Sequence, residues 1–239
     1  MMSRVAALVA REWNSYLSSP IAYVLATLFL AISGYLFAII LLESRQATLR
    51  FLLLNVNFLL LLMAPMLTMR LLAEERRTGT VELLLTLPFR DMEVVLGKFL
   101  ASLLLFLAII LPVVWYAIVL VIVAGTAPEA GPLASGLLGV ALQAAVFVAV
   151  GLFASSLTSN QIVAAVLAFA FTLALWLLSS LTAVLGPGST QLVNFLSLPN
   201  QFSQFARGII DVRAVIYHLS LTTVFLFLTY TVLQTRRWL

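Results

Sequence analysis

The sequence predicts an all-α polytopic membrane protein with six transmembrane helices. Of its 239 residues, 63% are hydrophobic and only 9% are charged, whereas a soluble domain is about 45–50% apolar and about 25% charged. Six segments supply the roughly 20 apolar residues that a helix needs to cross a bilayer, and none of them contains Asp, Glu, Lys or Arg. In chain order, spans one to six cover residues 21–42, 51–69, 99–124, 133–157, 161–185 and 214–235.

The basic residues predict how these spans are oriented. If the N-terminus is cytoplasmic, nine of the thirteen Arg and Lys residues lie inside and four lie outside. Cytoplasmic loops carry the excess of positive charge, so this orientation is favoured and both termini face the cytoplasm. The composition excludes a soluble enzyme or a nucleic-acid-binding module, and residues 1–239 are interpreted as a single transmembrane domain.

Residues 1–19 are predicted to form an amphipathic helix at the membrane interface, ahead of span one. Apolar side chains from Val5 to Leu17 recur at helical spacings, while Arg4 and Arg11 lie mostly on the other side. Trp13 is typical of a membrane interface. The alternative is a solvated N-terminal arm.

The cytoplasmic loop over residues 70–98 carries five of the thirteen basic residues and five of the nine acidic ones. Thr80 is placed to cap a helix whose first turn contains Glu82, where a negative charge favours the helix dipole. Such a helix could lie beneath the membrane and offer charge to a partner. The alternative is a solvated charge run.

The segment over residues 186–213, between spans five and six, is largely apolar but too short and too polar to cross. Phe202, Phe205, Ile209 and Ile210 recur at the spacing of one helical face. They predict a short helix in the outer leaflet whose inner face gates an exit or docks a partner, because apolar surface is costly to expose to water. The alternative is burial against spans five and six with a purely structural role.

No catalytic, cofactor or metal site is predicted. Gly97 and Lys98 do not form a phosphate-binding loop, because Met92 and Phe99 stand where that loop needs Gly and Ser or Thr. The chain is therefore not expected to hydrolyse ATP. His218 is the only histidine, and its position within a span, without carboxylate or Cys neighbours, predicts a hydrogen bond to another helix.

Two amides in span two are candidates for lining a pathway. Asn55 and Asn57 are separated by about 200° around a helix, so they cannot both face one cavity. One of them can line a pathway while the other bonds to a neighbouring helix. Acidic residues are absent from all six spans, which argues against an ion pump or a proton-coupled carrier.

The charged loop resembles the signature of type-2 ABC exporter permeases. Residues 75–88 read ERRTGTVELLLTLP and residues 93–100 read EVVLGKFL, similar to the family pattern E-R-x-x-G-T-x-E-x-L-L-x-x-P followed by G-K-F-L at the start of span three. The stretches REW at 11–13, SSPIAY at 18–23, FARGIID at 205–211 and RRW at 236–238 resemble a narrower subgroup, the permeases of gliding-motility-associated ABC systems.

The resemblance implies a six-helix permease of the bacterial inner membrane that pairs with a second copy or a related permease. Cytoplasmic ABC ATPase subunits would bind ATP and magnesium, and this chain would bind neither. Residues 1–19 would form the connecting helix, with Arg11, Glu12 and Trp13. The coupling helix that docks on the ATPase would include Glu74, Glu75, Arg76, Arg77, Gly79, Thr80 and Glu82.

The resemblance also implies that the segment containing Phe202, Phe205, Ile209 and Ile210 is a re-entrant element narrowing the outer exit. Partners in the subgroup often include a membrane protein with a large extracytoplasmic domain. The leading hypothesis is thus an exporter permease, and the alternative is a permease that passes ATP-driven motion to such a partner without export. An ATP-independent channel or scaffold is a third hypothesis, which the coupling motif disfavours.

Overall fold

The computed structural model describes residues 2–44, 49–79, 91–124, 129–178, 180 and 190–237. These residues form helices, turns and short connections, and no strand occurs among them. The helices described are α1 (Met2–Leu17), α2 (Pro20–Ser44), α3 (Arg50–Thr68), α4 (Ala73–Arg77), α5 (Asp91–Ile110), α6 (Val113–Ala124), α7 (Ala130–Leu157), α8 (Gln161–Leu177), α9 (Thr190–Leu196), α10 (Leu198–Phe205) and α11 (Val212–Arg237).

Five helical stretches in the described part of the chain are long and apolar enough to cross a membrane. They are Pro20–Leu42, Arg50–Arg77, Asp91–Val123, Ala130–Leu157 and Val212–Thr235. They correspond to predicted spans one, two, three, four and six, so an all-α protein with several membrane-spanning helices is confirmed. Predicted span five is represented by the shorter apolar helix α8, and the end of that prediction lies outside the described residues. The count of six spans therefore stays a prediction.

Helix α7 lies at the centre of the bundle and packs against α3, α5, α8, α10 and α11. Glycines allow this close approach. A Cβ atom at Gly136 would collide with Leu53, one at Gly151 would collide with Thr68, and one at Gly139 would lie 2.7 Å from Cβ of Phe205. Small residues let helix backbones approach closely, which is the main source of helix association within lipid.

Span three is divided into two helices at Pro112, which the sequence analysis treated as one unbroken helix. Proline lacks an N–H group and clashes with the preceding turn, so α5 ends at Ile110 and α6 begins at Val113. The first half, α5, packs against α1, α7 and α11, whereas α6 packs against α2. The second half of span three, α6, therefore leaves the centre of the bundle.

The helix predicted to carry Phe202, Phe205, Ile209 and Ile210 is shorter than expected. Helix α10 ends at Phe205, and Gly208 follows with φ of +92°. The Gly208 N–H donates to the Phe205 carbonyl at 3.0 Å and the Ile209 N–H donates to the Gln204 carbonyl at 3.1 Å, the two bonds of a glycine-terminated helix.

Phe202 and Phe205 are completely buried, whereas Ile209 and Ile210 are 55% and 56% exposed. The prediction that all four side chains share one helical face is therefore wrong for the two isoleucines, because Gly208 turns the chain before them. Two further predicted residues, Thr80 and Glu82, lie outside the described residues, as does the helix that Thr80 was predicted to cap.

Candidate functional site

Helix α4 follows span two after a short turn and is fixed by a serine of α7. Ser155 Oγ accepts hydrogen bonds from the N–H groups of Leu72 at 3.0 Å and Ala73 at 2.9 Å, and it donates to the Met69 carbonyl at 3.2 Å. The first N–H groups of a helix have no partner within that helix, so Ser155 supplies one. The sequence analysis missed this role, because Ser155 lies 82 residues from Ala73 and nothing in the sequence indicates that the end of α7 meets the start of α4.

A buried lysine joins three separate elements beside α4. Lys98 Nζ of α5 lies 3.3 Å from Glu12 Oε1 of α1 and 2.7 Å from Glu75 Oε1 of α4. The lysine side chain is 2% exposed, and the two glutamates are 12% and 15% exposed. We call Glu12, Glu75 and Lys98 the Lys98 cluster. Its formal charge is negative by one unit, since two carboxylates face one ammonium.

Helix α1 lies along α5 through a stripe of side chains one turn apart. Leu8 covers Gly97, where a Cβ atom would collide with it, and Glu12 contacts Lys98. Tyr16 forms a hydrogen bond of 3.0 Å with Ser102 Oγ. Burial raises the pKa of Tyr16 above its usual range, because an apolar environment disfavours the charged form, so the hydroxyl stays protonated.

A second buried polar group lies at the middle of α7, about 12 residues before Ser155. His218 Nδ1 lies 2.7 Å from the Ala214 carbonyl and Nε2 lies 3.0 Å from the Gln143 side-chain amide. The predicted hydrogen bond from His218 to another helix is thus confirmed. The Ala214 carbonyl can only accept, so Nδ1 donates to it. The Gln143 atom nearest Nε2 is Oε1, and a 180° rotation of the amide would instead present its N–H to an unprotonated Nε2.

The His218 ring also contacts the short helix α10. The Phe205 ring meets it edge-on with centroids 6.1 Å apart, and Ser135 Oγ donates to the Phe205 carbonyl at 2.7 Å. Together with the contact at Gly139, these interactions fix the end of α10 to α7 and α11. We call Ser135, Gln143, Phe205 and His218 the His218 cluster.

Comparison with known families now identifies the chain. A family model described as ABC-2 family transporter protein matches residues 25–238. The chain belongs to the ABC-2 family. No curated protein matches the sequence. The resemblance to type-2 ABC permeases is therefore confirmed at the level of the family, and the chain is a multi-pass permease component of an ABC transporter. The gliding-motility subgroup stays a prediction.

The predicted coupling residues of this ABC-2 protein are divided between its interior and its surface. Glu75 enters the Lys98 cluster, whereas Glu74 and Arg77 are exposed and Arg76 is partly buried. Gly79 is exposed with φ of +71°, and a Cβ atom there would meet nothing within 4 Å.

The predicted connecting-helix residues are divided in the same way. Arg11 is exposed, Glu12 joins the Lys98 cluster, and Trp13 borders an apolar groove with Leu104 and Leu111. The structure thus brings together one residue from each predicted segment, Glu12 and Glu75, through Lys98. The sequence analysis gave Lys98 no role, because a lysine at the end of an apolar span commonly extends to the membrane surface.

The two pathway candidates of the ABC-2 protein lie in different surroundings. Asn55 is partly exposed and its Nδ2 donates to the Phe51 carbonyl at 2.8 Å. Asn57 is buried, and its Oδ1 has no hydrogen-bond partner among the described residues. Neither lines the apolar cavity of about 470 Å³ between α2, α3 and α8, so lining a pathway stays a prediction. Among the residues described, no cluster of His, Asp and Glu could hold a metal ion.

Proposed function

We propose that this ABC-2 permease is the transmembrane subunit of an ATP-driven exporter whose ATPase is a separate cytoplasmic protein. Membership of the family supports a permease that works with an ABC ATPase. The observation that carries the proposal is the Lys98 cluster, in which the predicted connecting helix and the predicted coupling segment meet on span three. Force applied to this end of the protein would reach three helices at once.

The surface beside the cluster is suited to a charged protein partner. Glu74 and Arg77 of α4 and the turn at Gly79 are exposed, while the base of α4 is fixed by Ser155. A rigidly held short helix that presents charges of both signs can bind a complementary surface in a defined orientation. We assign this surface to the ATPase contact.

The mechanism assigns the chemistry to the ATPase and the motion to this chain. ATP and magnesium bind the ATPase subunits, which close on ATP binding and displace α4. The displacement passes to α3, α5 and α7 and changes the arrangement of the spans, as rigid-body transitions do. A second copy of this chain or a related permease completes the transporter. The transporter lies in a bacterial inner membrane, and both termini of this chain face the cytoplasm.

The alternative function, passing motion to an extracytoplasmic partner without export, is favoured by one observation. Ile209, Ile210 and Val212 are each more than half exposed at the end of the molecule opposite the Lys98 cluster. A partner that covered this apolar strip would be displaced with α10 and α11. The proposal of export and this alternative share the same ATPase contact.

Copurification tests the ATPase contact. The tagged permease is purified from its native host, an ABC ATPase bound to it is identified by mass spectrometry, and the amount of bound ATPase and its ATP turnover are measured for Gly79→Pro and for Gly131→Pro. Proline fixes φ near −65°, so it cannot adopt the +71° of Gly79, whereas Gly131 lies in the first turn of α7, where proline is tolerated.

We expect the parent and Gly131→Pro to retain the ATPase and Gly79→Pro to lose it or to lose stimulated turnover. Full retention and turnover in Gly79→Pro would remove α4 from the ATPase contact. An export assay with lipid or glycan identified by mass spectrometry of the purified complex then separates export from transmission of motion alone.

A further inference from the structure

The buried ammonium of Lys98 is unexplained by an ATPase contact alone. It is 2% exposed and stands one residue before the uncharged stretch of span three, where burial of a charge is expensive. An apolar residue would fill the same place between α1 and α5 at lower cost. We propose that Lys98 is a positioning residue that transmits motion, because it makes α1, α4 and α5 move as one body. This inference rests on the proposed function.

The first argument concerns how an ionic contact responds to force. Apolar packing is non-directional, so two helices in apolar contact can slide while keeping most of their buried area. A buried ion pair cannot separate without leaving an uncompensated charge, which is strongly unfavourable. The distances of 2.7 Å and 3.3 Å from Lys98 Nζ therefore hold the three elements in one register more strictly than apolar side chains would.

The second argument concerns the position of α4. This helix has only five residues and packs against α7 and α8. The Glu75 carboxylate reaches from it to α5, which packs against α1, α7 and α11. Glu75 thus connects a short segment at the surface to a helix that contacts much of the bundle.

The third argument concerns the choice of lysine. An ammonium offers three N–H donors around a compact charge, so it can bind carboxylates that arrive from two directions. Glu12 and Glu75 belong to elements 63 residues apart in the sequence, and the Lys98 ammonium contacts both of them. Removal of Lys98 would therefore remove both ionic contacts of α5 at once.

The experiment must separate transmission from stability. Lys98→Met alone removes the ammonium from two largely buried carboxylates and could fail to fold. The test variant therefore combines Glu12→Gln, Glu75→Gln and Lys98→Met, which removes every charge of the cluster with little change of volume. Neutralising the whole cluster avoids the uncompensated buried charge that removal of one partner leaves. Tyr16→Phe is the matched control, because it removes a polar contact of the same α1–α5 interface without altering charge.

The first readout is ATP turnover of the purified complex in nanodiscs. We expect the triple variant to bind the ATPase as the parent does and to lose at least about fivefold of the permease-dependent turnover, the lower end of ordinary coupling between sites. Tyr16→Phe is expected to keep the parent's turnover.

The second readout is the distance between α4 and α5. The chain has no cysteine, so spin labels at Thr78→Cys and Leu104→Cys, both exposed positions, report without background in parent and variant alike. We expect a narrow distance distribution that ATP and vanadate leave unchanged in the parent. In the triple variant we expect a distribution that broadens or shifts with ATP.

The outcomes separate the inference from the proposed function. A triple variant with the parent's turnover and distances would overturn the inference while the ATPase contact stands. A triple variant that does not fold, or that no longer binds the ATPase, would make the cluster structural and would also overturn it. If the parent chain itself binds no ABC ATPase, the proposed function fails and the inference fails with it.

Discussion

The Lys98 cluster and the His218 cluster hold short or peripheral helices against the two ends of the same bundle by different physical means. At one end, a lysine and two glutamates join α1 and α4 to α5. Toward the other end, neutral hydrogen bonds and aromatic contacts join α10 to α7 and α11. Ser135 and Ser155, which bond the two short helices, are 20 residues apart on α7 and therefore about 30 Å apart along its axis.

The difference indicates which helix is built to transmit displacement and which to stay in place. The ionic cluster fixes the relative positions of three elements and leaves α4 exposed on one side. Helix α10 is instead inserted among the spans, since Phe202 and Phe205 are completely buried and Gly139 leaves no space between α7 and Phe205. If α10 gates an exit, it must move together with α7 rather than swing alone.

Lys98→Met is expected to cause the largest loss of stability, about 3–5 kcal/mol, because it removes the ammonium that contacts the largely buried carboxylates of Glu12 and Glu75. The free energy of unfolding is measured by denaturant titration in mixed micelles. The neutral triple variant Glu12→Gln, Glu75→Gln, Lys98→Met serves as the control and should recover most of the loss. A Lys98→Met variant as stable as the parent would show that the charges of the Lys98 cluster do not stabilise this end of the bundle.

Phe205→Ala is expected to cost about 3 kcal/mol, the lower end for a buried phenylalanine. The loss is kept low because the hydrogen bond from Ser135 is made to the Phe205 backbone carbonyl and survives the substitution. Ile210→Ala is the control, since it truncates an apolar side chain of the same segment that is more than half exposed. Equal losses in the two variants would contradict the difference in burial.

Gln143→Leu is expected to cost about 2 kcal/mol, because it leaves Nε2 of His218 buried without a partner. The control combines Gln143→Leu with His218→Phe, which removes both polar partners and should be nearly as stable as the parent. A Gln143→Leu variant that is as stable as the parent would mean that the His218 cluster is held by packing alone.

The sequence predicted the membrane helices well, because a run of about twenty apolar residues satisfies its backbone hydrogen bonds in lipid by forming a helix. Two features that the sequence-based predictions missed, the break in span three and the end of α10, are each marked by one residue. Pro112 stands within span three, where it removes a backbone hydrogen bond, and Gly208 stands three residues after Phe205, at the place where a glycine commonly ends a helix. Both were outweighed by the apolar periodicity around them.

The Lys98 cluster was beyond sequence reasoning for a physical reason. Glu12 and Lys98 are 86 residues apart, and nothing local indicates that α1 turns back along α5. Charged residues near a membrane surface have many possible partners, including water and lipid. The packing of Leu8 on Gly97 and the hydrogen bond between Tyr16 and Ser102 fix the register that places Glu12 over Lys98.

Substitution of Ile209 and Ile210 by serine is expected to have the smallest effect on folding, no more than about 0.5 kcal/mol, because exposed side chains outside special contacts contribute little. The same titration measures it, with Phe205→Ala as the opposite case. Such a variant also tests the alternative function, since a partner with an extracytoplasmic domain that docks on this strip would be retained less well on copurification. If the variant retains the partner as well as the parent does, the two isoleucines contact lipid and not that partner. A loss of stability as large as that of Phe205→Ala would instead mean that the two isoleucines are buried in the assembled transporter. The packed region around the His218 cluster would then include the residues that follow α10.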